Sequence, residues 1–161
     1  MFCCYTGLSF IDAYNLSPQQ IIRYPGGEYW INIYRQKTDG KSHIPLLPKA
    51  KEIVTKYKKS ADLIQKSKVL PLQKNSKYNL NLKKIGALCG FTKTLSSHVA
   101  RHTFATTVTL NNDVPLETVS SMLGHRNIRT TQIYAKVLDK KIGSDMKTLK
   151  KKLNQKLKLR N

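Results

Sequence analysis

Residues 96–107 read SSHVARHTFATT, with an arginine flanked by histidines at positions 98 and 102. Ser96 or Ser97 is placed to cap a helix. On a wheel of about 100° per residue, Ala100, Phe104, Ala105 and Val108 share one arc, and Arg101 falls inside it. A guanidinium on a core-facing arc needs an anionic partner, because an unpaired buried charge is costly. Its forked N–H donors suit the oxygens of a phosphate or a carboxylate. The chain holds only 9 acidic residues, so an internal carboxylate is one alternative and an external phosphate is the other. Further on, Leu123-Gly124-His125 is followed by Tyr134, nine residues after the histidine. Gly124 is expected to close a helix in the left-handed region, with His125 projecting from the loop beyond it. From there it could donate to an oxygen that gains charge in a transition state, or merely cap the preceding helix. A phenol with a pKa of ~10 is protonated at neutral pH and needs a base or a cationic field before it can attack phosphorus. Seen alone, Tyr134 is one of 8 tyrosines and reads as a packing residue.

Composition agrees with a phosphate partner. Lys and Arg number 29 against the 9 acids, a formal charge of +20 over 161 residues. Such an excess points to a polyanion, nucleic acid before an anionic membrane. No window approaches the roughly 18 apolar residues of a membrane-spanning helix. The opening MFCCYTGLSFI lacks a basic n-region and a cleavage pattern, which argues against a signal peptide. Cys3, Cys4 and Cys89 fit neither a disulfide framework nor a zinc site, so a reducing, cytoplasmic setting is expected and no metal is implied. The chain enters directly on apolar residues, as though inside a helix, and the expectation is a fragment of a longer protein.

The elements that must position these residues can be outlined. SFIDAYNL is expected as a short helix capped by Ser9, with Asp12 in capping-box position. IIRY, EYWINIYRQK and SHIPLL read as three strands, separated by turns at Pro25-Gly26-Gly27 and Thr38-Asp39-Gly40-Lys41. PKAKEIVTKYKKSADLI reads as one helix, VLPL as a short strand or extended link, and 79–88 as a helix closed by Gly90. Helices are expected over 97–111, 115–123 and 127–137. A lysine-rich helix from about Asp139 follows, with Ile142, Met146, Leu149, Leu153 and Leu157 forming an apolar stripe and Gly143 as a possible hinge.

Four stretches stand in order: YTGLSFIDAYNL, RQKTDGKSHIPL, SSHVARHTFAT and SSMLGHRNIRTTQIYAKV. Together they resemble the catalytic domain of the tyrosine recombinases, the phage integrase family, from Tyr5 to about Val137. The resemblance implies an α+β, mainly helical fold, with a small three-stranded antiparallel sheet packed against a helical bundle. It implies a catalytic domain at 1–137 without its first helix or the N-terminal core-binding domain, and a basic tail at 138–161. By the same resemblance the chain is a site-specific recombinase of a mobile genetic element, acting without metal, ATP or other cofactor. Tyr134 is then the nucleophile that forms a 3′-phosphotyrosine link. Arg101 clamps the scissile phosphate, His98 assists proton transfer, and His125 donates to a phosphate oxygen. Lys37 protonates the leaving 5′ oxygen; Lys41 is its rival across the turn. His102 is a packing histidine.

One motif departs from the family. Where the family usually has T-G-x-R, this chain reads Thr6-Gly7-Leu8-Ser9. Serine supplies neither the charge nor the fork of an arginine. Arg35 is the expected substitute, because on a regular strand it leaves the same face as Lys37; Arg23, Arg126 and Arg129 are weaker options. Asp12 is expected to support the site or cap its helix. Ser9, Lys41, Arg126 and Arg129 are expected to touch the DNA. The implied partners are double-stranded DNA and, in the full-length protein, a homotetramer on two sites, with the fragment alone a monomer at the bacterial nucleoid and no membrane. The alternatives are a catalytically impaired DNA-binding remnant, a type IB topoisomerase-like enzyme, and a basic RNA-binding protein in which the spacing is coincidence.

Overall fold

A computed structural model describes residues 1–135 and 139–158. It is mainly helical, with one antiparallel sheet of strand order β1-β2-β3. The strands are β1 (Ile21–Arg23), β2 (Tyr29–Tyr34) and β3 (Lys41–Pro45). Alternation divides the sheet as the pleat requires. Ile31, Ile33, Ser42 and Ile44 turn inward and are buried, while Trp30, Tyr34 and His43 lie on the other face. No helix among the described residues is long and apolar enough to cross a membrane.

Helix α1 (Phe2–Thr6) ends at Gly7, which is left-handed at φ 66°. A Cβ there would lie 2.5 Å from Phe104 Cδ1 and 2.8 Å from Leu123 Cδ2, so only glycine admits this approach of chain to core. α2 (Phe10–Asn15) is capped by Ser9, whose hydroxyl accepts from the Asp12 N–H at 3.3 Å. The expected helix over 48–64 is two: α3 (Pro48–Tyr57) and α4 (Ala61–Gln65). Ser60 takes an extended conformation between them and starts the second. The segment after α4 is a link rather than a strand. α5 (Asn75–Leu88) begins four residues before the expected start.

The expected continuous helix over 97–111 is also corrected. α6 (Ser97–Thr103) is capped by Ser96, but residues Phe104–Thr109 wind more widely, as a π-helical turn, and Leu110–Asn112 tighten to 3₁₀. Four β-branched residues in a row, Thr106 to Thr109, crowd a regular helix. Thr109 Oγ1 also bonds back to the carbonyls of Phe104 and Ala105 at 3.0 and 2.8 Å, which favours the expanded winding.

α7 (Leu116–Met122) follows Pro115 and leads to Gly124 at φ 63°. The expected helix over 127–137 shrinks to α8 (Arg129–Gln132), and its last two residues, 136 and 137, lie outside the described residues. α9 (Asp139–Lys158) carries the expected lysine-rich tail, with Met146, Leu149 and Leu153 exposed; the side chains of Ile142 and Leu157 lie outside the description. The core gathers Phe2, Leu8, Leu16, Ile31, Ile44, Phe104, Val119 and Leu123, joining α1, the sheet, α6 and α7.

Candidate active site

Two arginines are buried in this core, Arg35 and Arg101, at 7% and 5% exposure. Among the described residues one acid, Asp12, is buried with them. Arg35 Nε lies 3.2 Å from Asp12 Oδ2, while Asp12 Oδ1 accepts the Gln36 N–H at 3.2 Å. The Ser9 hydroxyl donates to Oδ2 at 2.6 Å. Asp12 thus ties the start of α2 to the β2–β3 hairpin, and the Ser9 hydroxyl, expected on the DNA, is occupied by Asp12.

Among the described residues Arg101 has no carboxylate partner. Its Nη1 donates to Gly7 O at 2.5 Å and its Nη2 to Leu123 O at 2.8 Å. The internal-carboxylate alternative therefore belongs to Arg35 and not to Arg101. Arg35 Nη1 donates to the same Leu123 oxygen at 2.7 Å. Burial and the neighbouring Arg35 pull the pKa of Arg101 down to about 10, opposed by the nearby Tyr134 and Asp12. Arg101 still carries its charge at neutral pH. Two closely placed cations balanced by one carboxylate leave a site short of an anion.

Tyr134 sits two residues beyond α8, buried at 7% exposure, with its N–H bonded to Thr131 O at 2.9 Å. Its ring meets His102 edge-on, centroids 5.0 Å apart at 84°. His102 is therefore a packing neighbour of the phenol. His125 Nε2 lies 3.0 Å from Arg101 Nη2, and its Nδ1 lies 2.7 Å from Thr131 Oγ1. Burial, then Arg101 and Arg35, push the imidazole from 6.5 down to about 4. In this arrangement His125 Nε2 faces a group that can only donate.

The hairpin comes to the site through its backbone. A Cβ on Gly40 would fall 2.3 Å from Gly124 O, so the hairpin's end rests directly on the turn that carries His125. Lys41, His125, Arg126 and Glu117 line an open hollow of about 470 Å³ beside it. A second, more apolar cleft of about 310 Å³ lies away from these residues, between β1, α3 and α4.

The remaining expected residues are less closely held. β2 stops at Tyr34, and Arg35 N–H closes the loop on Gly40 O at 3.0 Å. Lys37 consequently lies in the turn, exposed, and does not alternate with Arg35 along a strand. His98 is exposed on the first turn of α6 and, among the described residues, has no hydrogen-bond partner. Arg129 is exposed at the start of α8. Arg23 is at the far end of the sheet, over the Tyr29 ring. Sequence reasoning missed Thr131 and the Leu123 carbonyl. A threonine between Thr130 and Gln132 carries no chemical signature, and a carbonyl carries none at all.

The phage integrase family model matches residues 1–141. A tyrosine recombinase XerC from Listeria monocytogenes serotype 4a is 37% identical over 91 residues, 56% of this chain and 30% of that protein. A tyrosine recombinase XerD from Staphylococcus haemolyticus is 42% identical over 67 residues, 42% of this chain and 22% of the relative. A crystal structure of XerA recombinase superposes with a TM-score of 0.68 at 23% identity, over 90% of this chain and 54% of that one. The XerH recombinase in a post-cleavage complex with difH substrate gives 0.69 at 20% identity, over 89% and 42%. The matched segments thus span under a third of these two curated relatives and about half of these two solved chains.

Proposed function

The chain belongs to the phage integrase family, and on that premise we propose that it cuts and rejoins double-stranded DNA through a covalent bond to Tyr134. The observation that carries this reading is the pair of buried arginines converging on Leu123 O, with Tyr134 buried beside Arg101. A backbone diester entering the site offers two anionic oxygens as better acceptors than a carbonyl. Arg101 and Arg35 turn their forks to it, Arg35 standing in for the arginine that Ser9 replaces. His125 supplies a further donor. The Tyr134 oxygen attacks phosphorus, its proton passing to His98; the bond to the 5′ oxygen breaks, and Lys37 protonates the leaving alkoxide. The products are a 3′-phosphotyrosine and a 5′-hydroxyl. Because the diester's energy is kept in the phosphotyrosyl bond, the hydroxyl of another strand can reverse the step.

Residues 1–137 form the catalytic unit in this reading and 138–161 a basic tail, with Lys41, Arg126 and Arg129 on flanking phosphates. Two exchanges in sequence require four protomers on two DNA sites, and the 161-residue chain alone acts as a monomer at the bacterial nucleoid. The XerH and Tn1549 integrase structures, described as complexes with DNA, support duplex DNA as the partner. The test is a set of nicked duplexes of randomised sequence with a bridging phosphorothiolate, which trap the covalent intermediate. A protein–DNA band that disappears in Tyr134→Phe is expected. Duplex binding with no band favours the DNA-binding remnant.

A further inference from the structure

We propose that Thr131 is a positioning residue: it accepts the Nδ1–H of His125 and anchors the ring, so that Nε2 is the nitrogen that changes state when a phosphate enters. The proposal deepens the recombinase reading and rests on it for the phosphate.

The argument starts from donor chemistry. Arg101 Nη2 lies 3.0 Å from His125 Nε2, and a guanidinium has no lone pair to offer. Nε2 must therefore accept, and the proton of the neutral ring sits on Nδ1. Nδ1 lies 2.7 Å from Thr131 Oγ1, so the N–H donates to the hydroxyl. Thr131 is fully buried at 0% exposure, and its own carbonyl accepts the Tyr134 N–H at 2.9 Å. One residue thus holds the imidazole by its side chain and the nucleophile's backbone by its carbonyl.

This arrangement has a chemical consequence. In the DNA-free protein Nε2 presents a lone pair and cannot donate to an oxyanion. The charged groups around the ring are Arg101 from α6, Arg35 after β2, Lys41 from β3, Arg126 beside it and Glu117 from α7. Cations predominate and disfavour a second proton, in line with the lowered pKa of about 4. A phosphate that draws Arg101 to itself frees Nε2 and replaces a cation by an anion; both changes favour protonation there. The imidazolium still donates from Nδ1, so the Thr131 bond survives and the ring does not turn. Nε2 converts from acceptor to donor in place.

The experiment is nitrogen-resolved NMR of the histidines in the 161-residue chain without DNA, His125 being assigned by its loss in His125→Gln. The expected wild-type result is the Nδ1–H tautomer with a slowly exchanging Nδ1–H. Thr131→Ser retains both, and Thr131→Val, of nearly equal volume, keeps the tautomer that Arg101 imposes but loses the slowly exchanging resonance, because Nδ1–H has no acceptor. A wild-type ring protonated chiefly on Nε2 overturns the proposal, whether or not the valine variant folds. So does a valine variant whose Nδ1–H exchanges as slowly as in the wild type. Because no DNA is present, the outcome is separable from the covalent-adduct assay. A missing adduct with the Nδ1–H tautomer in place defeats the recombinase reading, and an adduct with the other tautomer defeats only this inference.

Discussion

Arg35 and Arg101 each direct one guanidinium N–H at the same oxygen, the carbonyl of Leu123, at 2.7 and 2.8 Å. A neutral carbonyl is a poor sole focus for two buried cations. Asp12 compensates Arg35 alone. On the proposed reading, the convergence is the resting state of a site whose ligand is an anion with more than one oxygen. Arg35 comes from the hairpin and Arg101 from α6, so the ligand also bridges two parts of the fold.

Arg35 bears on catalysis and on stability, and two substitutions separate these. Arg35→Ala leaves Asp12 buried without its cation and is expected to cost about 3–5 kcal/mol in denaturant unfolding. Arg35→Lys keeps the charge but loses the fork. It is expected to lower covalent adduct formation by about 10²–10³-fold, with duplex affinity, read by fluorescence anisotropy, little changed. A loss of affinity that accounts for the whole defect contradicts the assignment.

His125 makes stability depend on pH. Its folded pKa of about 4 lies below the ordinary 6.5. Between these values the unfolded chain binds more protons than the folded one. The contribution is therefore complete above about 6.5 and is lost as the pH falls toward 4. Urea midpoints for wild type and His125→Gln are expected to diverge over this interval, with the wild type falling more steeply; parallel curves contradict the burial of a neutral ring.

Gly7 and Gly90 form a controlled pair. Both are left-handed, at φ 66° and 68°, but a Cβ on Gly7 meets Phe104 at 2.5 Å and one on Gly90 meets nothing within 4 Å. Gly90→Ala is expected to cost about 1 kcal/mol from backbone strain alone. Gly7→Ala adds overpacking and is expected to cost about 3 kcal/mol. Equal losses in chemical denaturation contradict the close packing drawn for the TGLS turn.

Duplex affinity is expected to fall linearly with the logarithm of salt concentration. Lys41→Ala, Arg126→Ala and Arg129→Ala each remove one candidate phosphate contact. Each is expected to reduce the slope by about 1 on any duplex sequence. An unchanged slope removes that side chain from the interface.

Much of this was legible in the sequence, for identifiable reasons. The burial of Arg101 followed from a helical period over four apolar neighbours, and the Ser9 cap and three strands from capping chemistry and alternation. Arg35 lies beside Arg101, but the shared strand face with Lys37 that singled it out does not exist, because the strand stops at Tyr34. What brings Arg35 in is Asp12, 23 residues away. The π-helical turn was concealed because periodicity reports which residues are apolar, and not how a run of β-branched residues strains the winding. Contacts in which a partner is backbone, Gly40 on Gly124 and both guanidinium groups on Leu123 O, leave no trace in side-chain patterns.

The central claim is that the phenolic oxygen of Tyr134 takes the phosphorus. The most direct measurement is mass spectrometry of the trapped adduct after digestion of both protein and DNA. The account predicts a 3′-linked nucleotide on the peptide containing Tyr134, with fragmentation placing the mass on that residue. A nucleotide on any other side chain, or a 5′ linkage, contradicts it.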